Sequence, residues 1–251
     1  YLKKNKVVCS VYHFEEKDFE RDSLKDFYKR DSYVDEYHVI SPYIEKDLRN
    51  LTTKPITYIP FWVNESIWFN IPDKSNLRKK YNIDEKSYLI GSFQRDTEGS
   101  DLKSPKLIKG PDRFIEIVKS KKDDIKNLKV VLTGKRRQYV ISELEKLNID
   151  YVYLEMVTFE ELNELYNILD LYIVSSRIEG GPQAVVECGI TKTPIISTDV
   201  GFATDILSSE SIFDMSNYKN AAPNINYAYE KSLELSIPKG FQKFTNLIFS
   251  K

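Results

Sequence analysis

The chain has almost nothing from which to build a metal centre or a disulfide framework. Of its 251 residues, two are cysteine and two are histidine. Cys9 and Cys188 lie far apart and lack CxxC spacing, which excludes a disulfide scaffold and a cysteine zinc site; both read as buried small apolar residues. Two imidazoles, His13 and His38, exclude a multi-histidine metal site. No run approaches the roughly 20 apolar residues of a membrane span, and no charged-then-apolar signal segment opens the chain, so a cytoplasmic location is expected. Charge of one sign is missing too. The 37 basic and 38 acidic residues leave a net charge of -1, which gives no whole-chain field to gather nucleic acid or anionic lipid. No nucleic-acid partner is expected, and any anion site must be local. Internal repeats and low-complexity tracts are absent. The sequence opens at Tyr1, already inside a strand-like run, as a truncated chain or gene fragment would.

What is present is a packed α/β globule: 41% of residues are apolar and 13% aromatic. From Tyr88 onward, short runs rich in β-branched and aromatic residues alternate with segments of helical period, the pattern of βαβ units and a parallel sheet. Five strands are predicted there, Tyr88 to Phe93, Leu128 to Thr133, Tyr151 to Leu154, Leu171 to Ser175 and Pro194 to Thr198. Pro111 and Pro182 fit first helical positions, and Thr158 with Glu161 makes a capping-box pattern. Residues 1–72 carry strand signals near Lys6 to Tyr12, Tyr37 to Ile40 and Ile56 to Ile59. That is too little for a complete second α/β domain. Pro60, Phe61, Trp62, Trp68 and Pro72 mark an interdomain connection. Near the end, Pro238 opens a helix with Phe241, Phe244, Leu247 and Ile248 on one stripe, expected to pack elsewhere on the molecule.

In an open parallel sheet, ligands bind beyond the carboxyl ends of the strands, and the loops there collect the chemistry. After the first of the five strands come Gln94, Arg95 and Asp96, leading to Lys103, Lys106 and Lys109-Gly110-Pro111. After the second comes Gly134-Lys135-Arg136-Arg137. After the fourth comes Ser175 to Gln183, containing Glu179-Gly180-Gly181-Pro182-Gln183, with Glu187 following. Two glycines allow close backbone approach, and a helix N-terminus favours a phosphate, so a diphosphate suits this turn. Glu179 precedes the helix and Glu187 lies more than a turn inside it, so the two carboxylates can touch different parts of one elongated ligand.

The succession Ser175-Ser176-Arg177-Ile178-Glu179-Gly180-Gly181-Pro182-Gln183, then Glu187-Cys188, then Pro194-Ile195-Ile196-Ser197-Thr198-Asp199-Val200-Gly201 resembles the E-x7-E region of the retaining, GT-B-fold glycosyltransferases of group 1. Lys109-Gly110 resembles the lysine-glycine step of that family. The resemblance covers about residues 86–210 well and 6–72 loosely. It implies a GT-B-type, Rossmann-like donor domain over 73–251, with an incomplete acceptor-side α/β region over 1–72. It further implies that Glu187 holds the ribose of a nucleotide-diphosphate sugar, that Glu179 contacts the transferred sugar, and that the amides of Gly180, Gly181, Pro182 and Gln183 serve the phosphates. Arg95 and Lys109 would form a cationic clamp on the departing diphosphate. Here the sequence departs from the family, because Ser92 follows Gly91 where an arginine is usual, and Lys103 or Lys106 can share the role. His13 is similar to the strand-end histidine of the family near the reacting sugar and is expected to position it. His38 reads as a strand or surface residue.

The implied activity is metal-independent, retaining transfer of a sugar to a glycan, lipid or other acceptor, with no cofactor, in surface polysaccharide or lipopolysaccharide biosynthesis. Peripheral contact with the inner face of the membrane would come through the missing N-terminal region. The alternative is a catalytically inactive nucleotide-sugar-binding fragment or partner subunit. A dinucleotide-binding dehydrogenase is excluded by the lack of G-x-G-x-x-G after Phe93. A glycosidase has no use for a diphosphate turn.

Overall fold

A computed structural model describes residues 5–13 and 21–249. Residues 1–4, 14–20 and 250–251 lie outside the described residues.

Two parallel sheets organise the chain. The smaller has β1 (Val8–Val11), β2 (Glu36–Val39) and β3 (Ile56–Tyr58) in that order, with α1 (Arg21–Asp31) and α2 (Pro42–Arg49) as crossovers. The larger contains β4 (Tyr88–Ser92), β5 (Leu128–Thr133), β6 (Asp150–Leu154), β7 (Leu171–Val174), β8 (Ile195–Thr198) and the two-residue β9 (Ile212–Phe213). Its order is β6-β5-β4-β7-β8-β9, every neighbour parallel. The order reverses between β4 and β7, and at such a point the loops part and leave a crevice at the carboxyl edge. This is the Rossmann-like α/β architecture expected of a GT-B-type donor domain.

Alternation along the strands builds two cores. Leu89 and Val131 face one layer with Leu165, Val185 and Phe202, whereas Ile90, Val130 and Leu132 face the other with Phe114 and Ile117. Period-two burial on both faces explains the near-continuous apolar runs. The crossover helices are α3 (Lys74–Lys80), α4 (Pro111–Asp124), α5 (Gln138–Lys146), α6 (Phe159–Ile168), α7 (Gln183–Thr191), α8 (Ala203–Ile206) and α9 (Ile225–Leu233). Thr158 and Glu161 form the full capping box on α6, and Pro111 is its helix's first residue. Pro182 sits one step earlier than expected, as the N-cap of α7.

The final helix, α10 (Lys239–Phe249), returns to the small sheet. Its approach is fixed by backbone bonds from Val63 to Leu235 (3.0 Å) and from Ile237 to Val63 (2.9 Å). Phe241 lies 4.6 Å from Trp62, and Phe244 lies 4.9 Å from His38, centroid to centroid. His38 is a buried strand residue rather than a surface one: Nδ1 is 3.0 Å from Ser10 Oγ and Nε2 is 2.9 Å from the Ile59 carbonyl. Cys188 is buried as expected, but Cys9 is only half-buried. No helix among the described residues is long and apolar enough to cross a membrane.

One buried amide fastens the aromatic connection to the large sheet's layer. Asn167 accepts from the Ile71 amide at 2.7 Å and donates to the carbonyls of Phe69 (3.0 Å) and Asn163 (2.8 Å). Truncation leaves at least two enclosed backbone groups unpaired. Asn167→Ala should therefore cost about 3 kcal/mol in urea unfolding, with an unchanged m-value. A loss under about 1 kcal/mol would mean that the connection is held elsewhere.

Candidate functional site

The crevice at the reversal point is a cavity of about 460 Å³. Lys109 and Glu179 stand at its β4–β7 end, the Gly181-Pro182-Gln183 turn and Glu187 form one wall, and Glu155 with Phe159 bound the far end beyond β6. A comparable hollow of about 420 Å³ opens at the amino ends of β4 to β6 among Lys122, Lys126 and Lys129; it contains none of the residues predicted for a site.

Close backbone contact creates the β4–β7 end. Gly110 has φ +63°, and a Cβ there would sit 1.9 Å from the Ser175 carbonyl oxygen, so the Lys109-Gly110-Pro111 step lies directly on the end of β7. Ser175 Oγ donates to the Gly110 carbonyl at 2.8 Å and locks the contact. Lys109 Nζ is consequently 2.6 Å from both carboxylate oxygens of Glu179. Ser176 Oγ donates to the same carboxylate at 2.9 Å, and Gln94 Nε2 donates to the Lys109 carbonyl at 2.8 Å. The result is a cation and an anion held at the cavity edge by neutral groups, both partly open to a ligand.

Beside them the backbone amides of Gly180, Gly181 and Gln183 make no backbone hydrogen bond among the described residues. Pro182 has no N–H, so it shapes the turn and cannot serve a phosphate through an amide, as was expected of it. The amides of Gly181 and Gln183 belong to the cavity wall, with Gly180 buried just behind them, and with Lys109 at the same cavity they form a fitting cradle for a phosphate.

Glu187 keeps one face open to the cavity but is otherwise enclosed by protein. Tyr166 donates to its Oε2 at 2.7 Å. Burial raises the Glu187 pKa to about 7, against the lowering effect of the tyrosine bond. Tyr166 is held by rings of Trp68 (5.7 Å), Phe93 (5.0 Å) and Tyr172 (5.4 Å), so the carboxylate rests on a rigid aromatic floor.

Not every predicted residue converges. Arg95 is exposed, lies outside the cavity wall and donates from Nε to the Thr97 carbonyl at 2.7 Å. Lys103 and Lys106 are outside the wall too. The cause is the Asp96–Arg137 pair: both side chains are buried, with Arg137 Nε 3.0 Å from Asp96 Oδ2, and this pins the chain just after Gln94 and turns Arg95 outward. Burial pushes the Asp96 carboxyl up to about 6 even beside that guanidinium. His13 is exposed at the end of β1 and does not line the cavity, but the carbonyl of its neighbour Tyr12 abuts Gly180. Sequence reasoning missed Ser176, Gln94 and Tyr166 as site residues. Only Tyr166 had a readable signal, a phenol on the apolar stripe of α6 that must find a partner.

The chain belongs to the glycosyl transferases group 1 family, whose model matches residues 73–237, roughly two thirds of the sequence. Sequence comparison with curated proteins finds no match. Among solved structures it is similar to Anabaena HepE in complex with UDP-glucose (14% identity, TM-score 0.79), covering 99% of this chain and 73% of that one. It is similar to sucrose-phosphate synthase from Thermosynechococcus elongatus (14%, 0.73), covering 96% and 66%, and to a mutant of S. aureus TarM in complex with fondaparinux, α-GlcNAc-glycerol and UDP (16%, 0.69), covering 98% and 51%. At these identities the likeness is one of fold, and the chain spans about two thirds of the synthase and half of TarM.

The raised pKa of Glu187 makes the stability of the protein pH-dependent. The folded state holds the proton more tightly than the unfolded state, so this contribution to stability is complete below about pH 4.5 and is lost as pH rises through about 7. Its full size is on the order of 3 kcal/mol. Glu187→Gln should therefore gain on the parent protein steadily between pH 5 and pH 8 in urea unfolding, whereas a difference constant with pH would contradict the assignment.

Proposed function

We propose that this chain is the donor-binding part of a retaining glycosyltransferase that moves a sugar from a nucleoside diphosphate sugar to a glycan or lipid-linked acceptor without a metal ion. The observation that carries the reading is the Lys109–Glu179 pair at the cavity of the Gly181-Pro182-Gln183 turn, whose Gly181 and Gln183 amides make no backbone hydrogen bond among the described residues, with Glu187 a helical turn away on the same wall. In this reading the ribose hydroxyls donate to Glu187. The diphosphate lies on the amides of Gly180, Gly181 and Gln183, with Pro182 setting the turn, and the sugar reaches Glu179. As the bond from the sugar to the diphosphate breaks, negative charge grows on the departing oxygen, and Lys109 with the amides stabilises it in place. His13, one residue from the Tyr12 carbonyl at Gly180, positions the sugar from the small sheet. Arg95 is left outside the clamp. HepE and TarM are described with UDP or UDP-glucose, so a uridine nucleotide is the first donor to test. Retention and a place in surface polysaccharide or lipopolysaccharide assembly rest on the family resemblance.

The Lys109–Glu179 contact carries a further consequence. Glu179 occupies Lys109 before any donor arrives and repels an incoming phosphate, so Glu179→Gln should raise affinity for UDP while lowering sugar transfer. Lys109→Ala should weaken UDP binding by about 10- to 100-fold and uridine binding far less. Arg95→Ala should leave both nearly unchanged. Glu187→Gln should weaken uridine and UDP together, because an amide nitrogen cannot accept from a ribose hydroxyl. Calorimetric titration of uridine and UDP in chelator, alongside transfer and donor hydrolysis on the same preparation, checks each outcome. Donor affinity that appears only with magnesium or manganese would overturn the metal-free clamp, and affinity without hydrolysis or transfer would favour a binding partner over an enzyme.

A further inference from the structure

The loops that form the cavity's β4–β5 side carry cations of two kinds. Two are matched by carboxylates: Lys109 to Glu179 at the cavity edge, and Arg137 to Asp96 beneath the loops. Five others, Arg95, Lys103, Lys106, Lys135 and Arg136, have no carboxylate within ion-pair distance among the described residues. None lines the cavity, although Gln94, Lys109 and Gly134, from the same loops, do.

These five are brought together by backbone lacing rather than by sequence proximity. The amides of Asp96 (3.0 Å) and Thr97 (3.2 Å) donate to the Arg136 carbonyl, the Lys106 amide donates to Asp96 at 2.7 Å, and the Glu98 amide donates to Ser104 at 3.0 Å. Residues 96–98 thus run between 104–106 on one side and 136 on the other, and the buried Asp96–Arg137 pair fastens the assembly from beneath. Arg136 adopts φ +63°, an uncommon conformation for arginine, and its Nη1 donates to the Gly99 carbonyl at 2.9 Å. The acidic residues of these loops do little to cancel the charge. Asp101 accepts from the loop's own Lys103 and Ser104 amides and the Ser104 hydroxyl, and together with Glu98 it offsets only part of the charge. In a chain with net charge -1, five cations against two carboxylates on one rim is a local concentration.

We propose that this rim binds an anionic acceptor, a glycan or polyol chain bearing phosphate or carboxylate groups at repeated intervals. The proposal rests on the donor reading above, which puts the transferred sugar at Lys109 and Glu179, within a few residues of the rim. A chain held on several separated cations gains from each, and its free end lies beside the cavity mouth. The rim lacks the exposed aromatic rings that stack the bases of single-stranded nucleic acid or settle at a lipid interface. Leu102, at the tip, is its one exposed apolar residue from the Arg95 to Lys106 stretch.

The test is binding of labelled oligogalacturonate and of short-chain inorganic polyphosphate, with a neutral maltooligosaccharide and anionic phospholipid vesicles as comparisons, at low and moderate salt. K103E/K106E/K135E reverses three charges, those of the exposed Lys103 and Lys135 and the half-buried Lys106, and K103R/K106R/K135R preserves them. The expected result is salt-dependent binding of one or both soluble anions, at least about tenfold weaker in the glutamate variant and restored in the arginine variant. UDP affinity should stay within about twofold throughout. The galacturonate and polyphosphate arms separate carboxylate from phosphate recognition. The proposal is overturned if neither soluble anion binds, if the glutamate variant binds as well as the parent, or if vesicles are preferred to both chains. If UDP affinity falls in parallel, the cations belong to the donor clamp and the rim is not a separate site. Failure of UDP to bind the parent protein, with anion binding intact, would strike the donor reading and leave the rim standing.

Discussion

The arrangement of this molecule depends on how closely backbone can approach backbone at Gly180. A Cβ there would lie 1.9 Å from the Tyr12 carbonyl oxygen, and one at Gly181 would lie 2.6 Å from the Phe202 ring. Any side chain at either position must push the small sheet or the β8 loop away. Because the turn is bare, the end of β1 comes within reach of the start of α7, and Tyr58 on β3 donates to Asp205 on α8. Gly110 makes the matching approach from the other side, against Ser175. Two tight crossings thus set the distance from Lys109 to Glu179 and the direction of the amides beside them.

Charge at the site is arranged around this frame at a cost to stability. Lys109 and Glu179 neutralise each other while partly buried, and neutral partners at Ser176 and Gln94 hold them in register. Among the described residues Glu187 has no cation beside it, only the Tyr166 hydroxyl, and its raised pKa reflects the desolvation that a ligand with hydroxyl donors would relieve. A carboxylate kept in this state destabilises the fold and prepares it for binding, the usual trade between stability and function. The buried Asp96–Arg137 pair plays a different part. It shapes two loops at once and turns Arg95 to solvent.

Much of this was legible from residue order. The β4 to β8 strands, the capping box at Thr158 and the placement of Glu179, Gly180, Gly181 and Glu187 at one strand end follow from local pattern, because period and turn chemistry act over a few residues. β9 escaped notice because a two-residue strand has no period. The direction of Arg95 was also illegible. It depends on Asp96 meeting Arg137, 41 residues later, and no local rule forecasts that pairing. His38 showed the same limit: its ring is satisfied by Ser10 and Ile59 from neighbouring strands, contacts set by sheet order. Pro182 was misjudged by one position, which moved it from the helix to its cap.

The central claim is that a nucleoside diphosphate occupies the cavity between β4 and α7. It is tested most directly by calorimetric titration of UDP, in chelator, into the parent protein and into Ala184→Trp, which fills the cavity from the first turn of α7 without altering any charge. The account predicts saturable binding at one site in the parent and none in the variant, with both proteins folded by circular dichroism. Equal binding by the two would place the nucleotide elsewhere and contradict it.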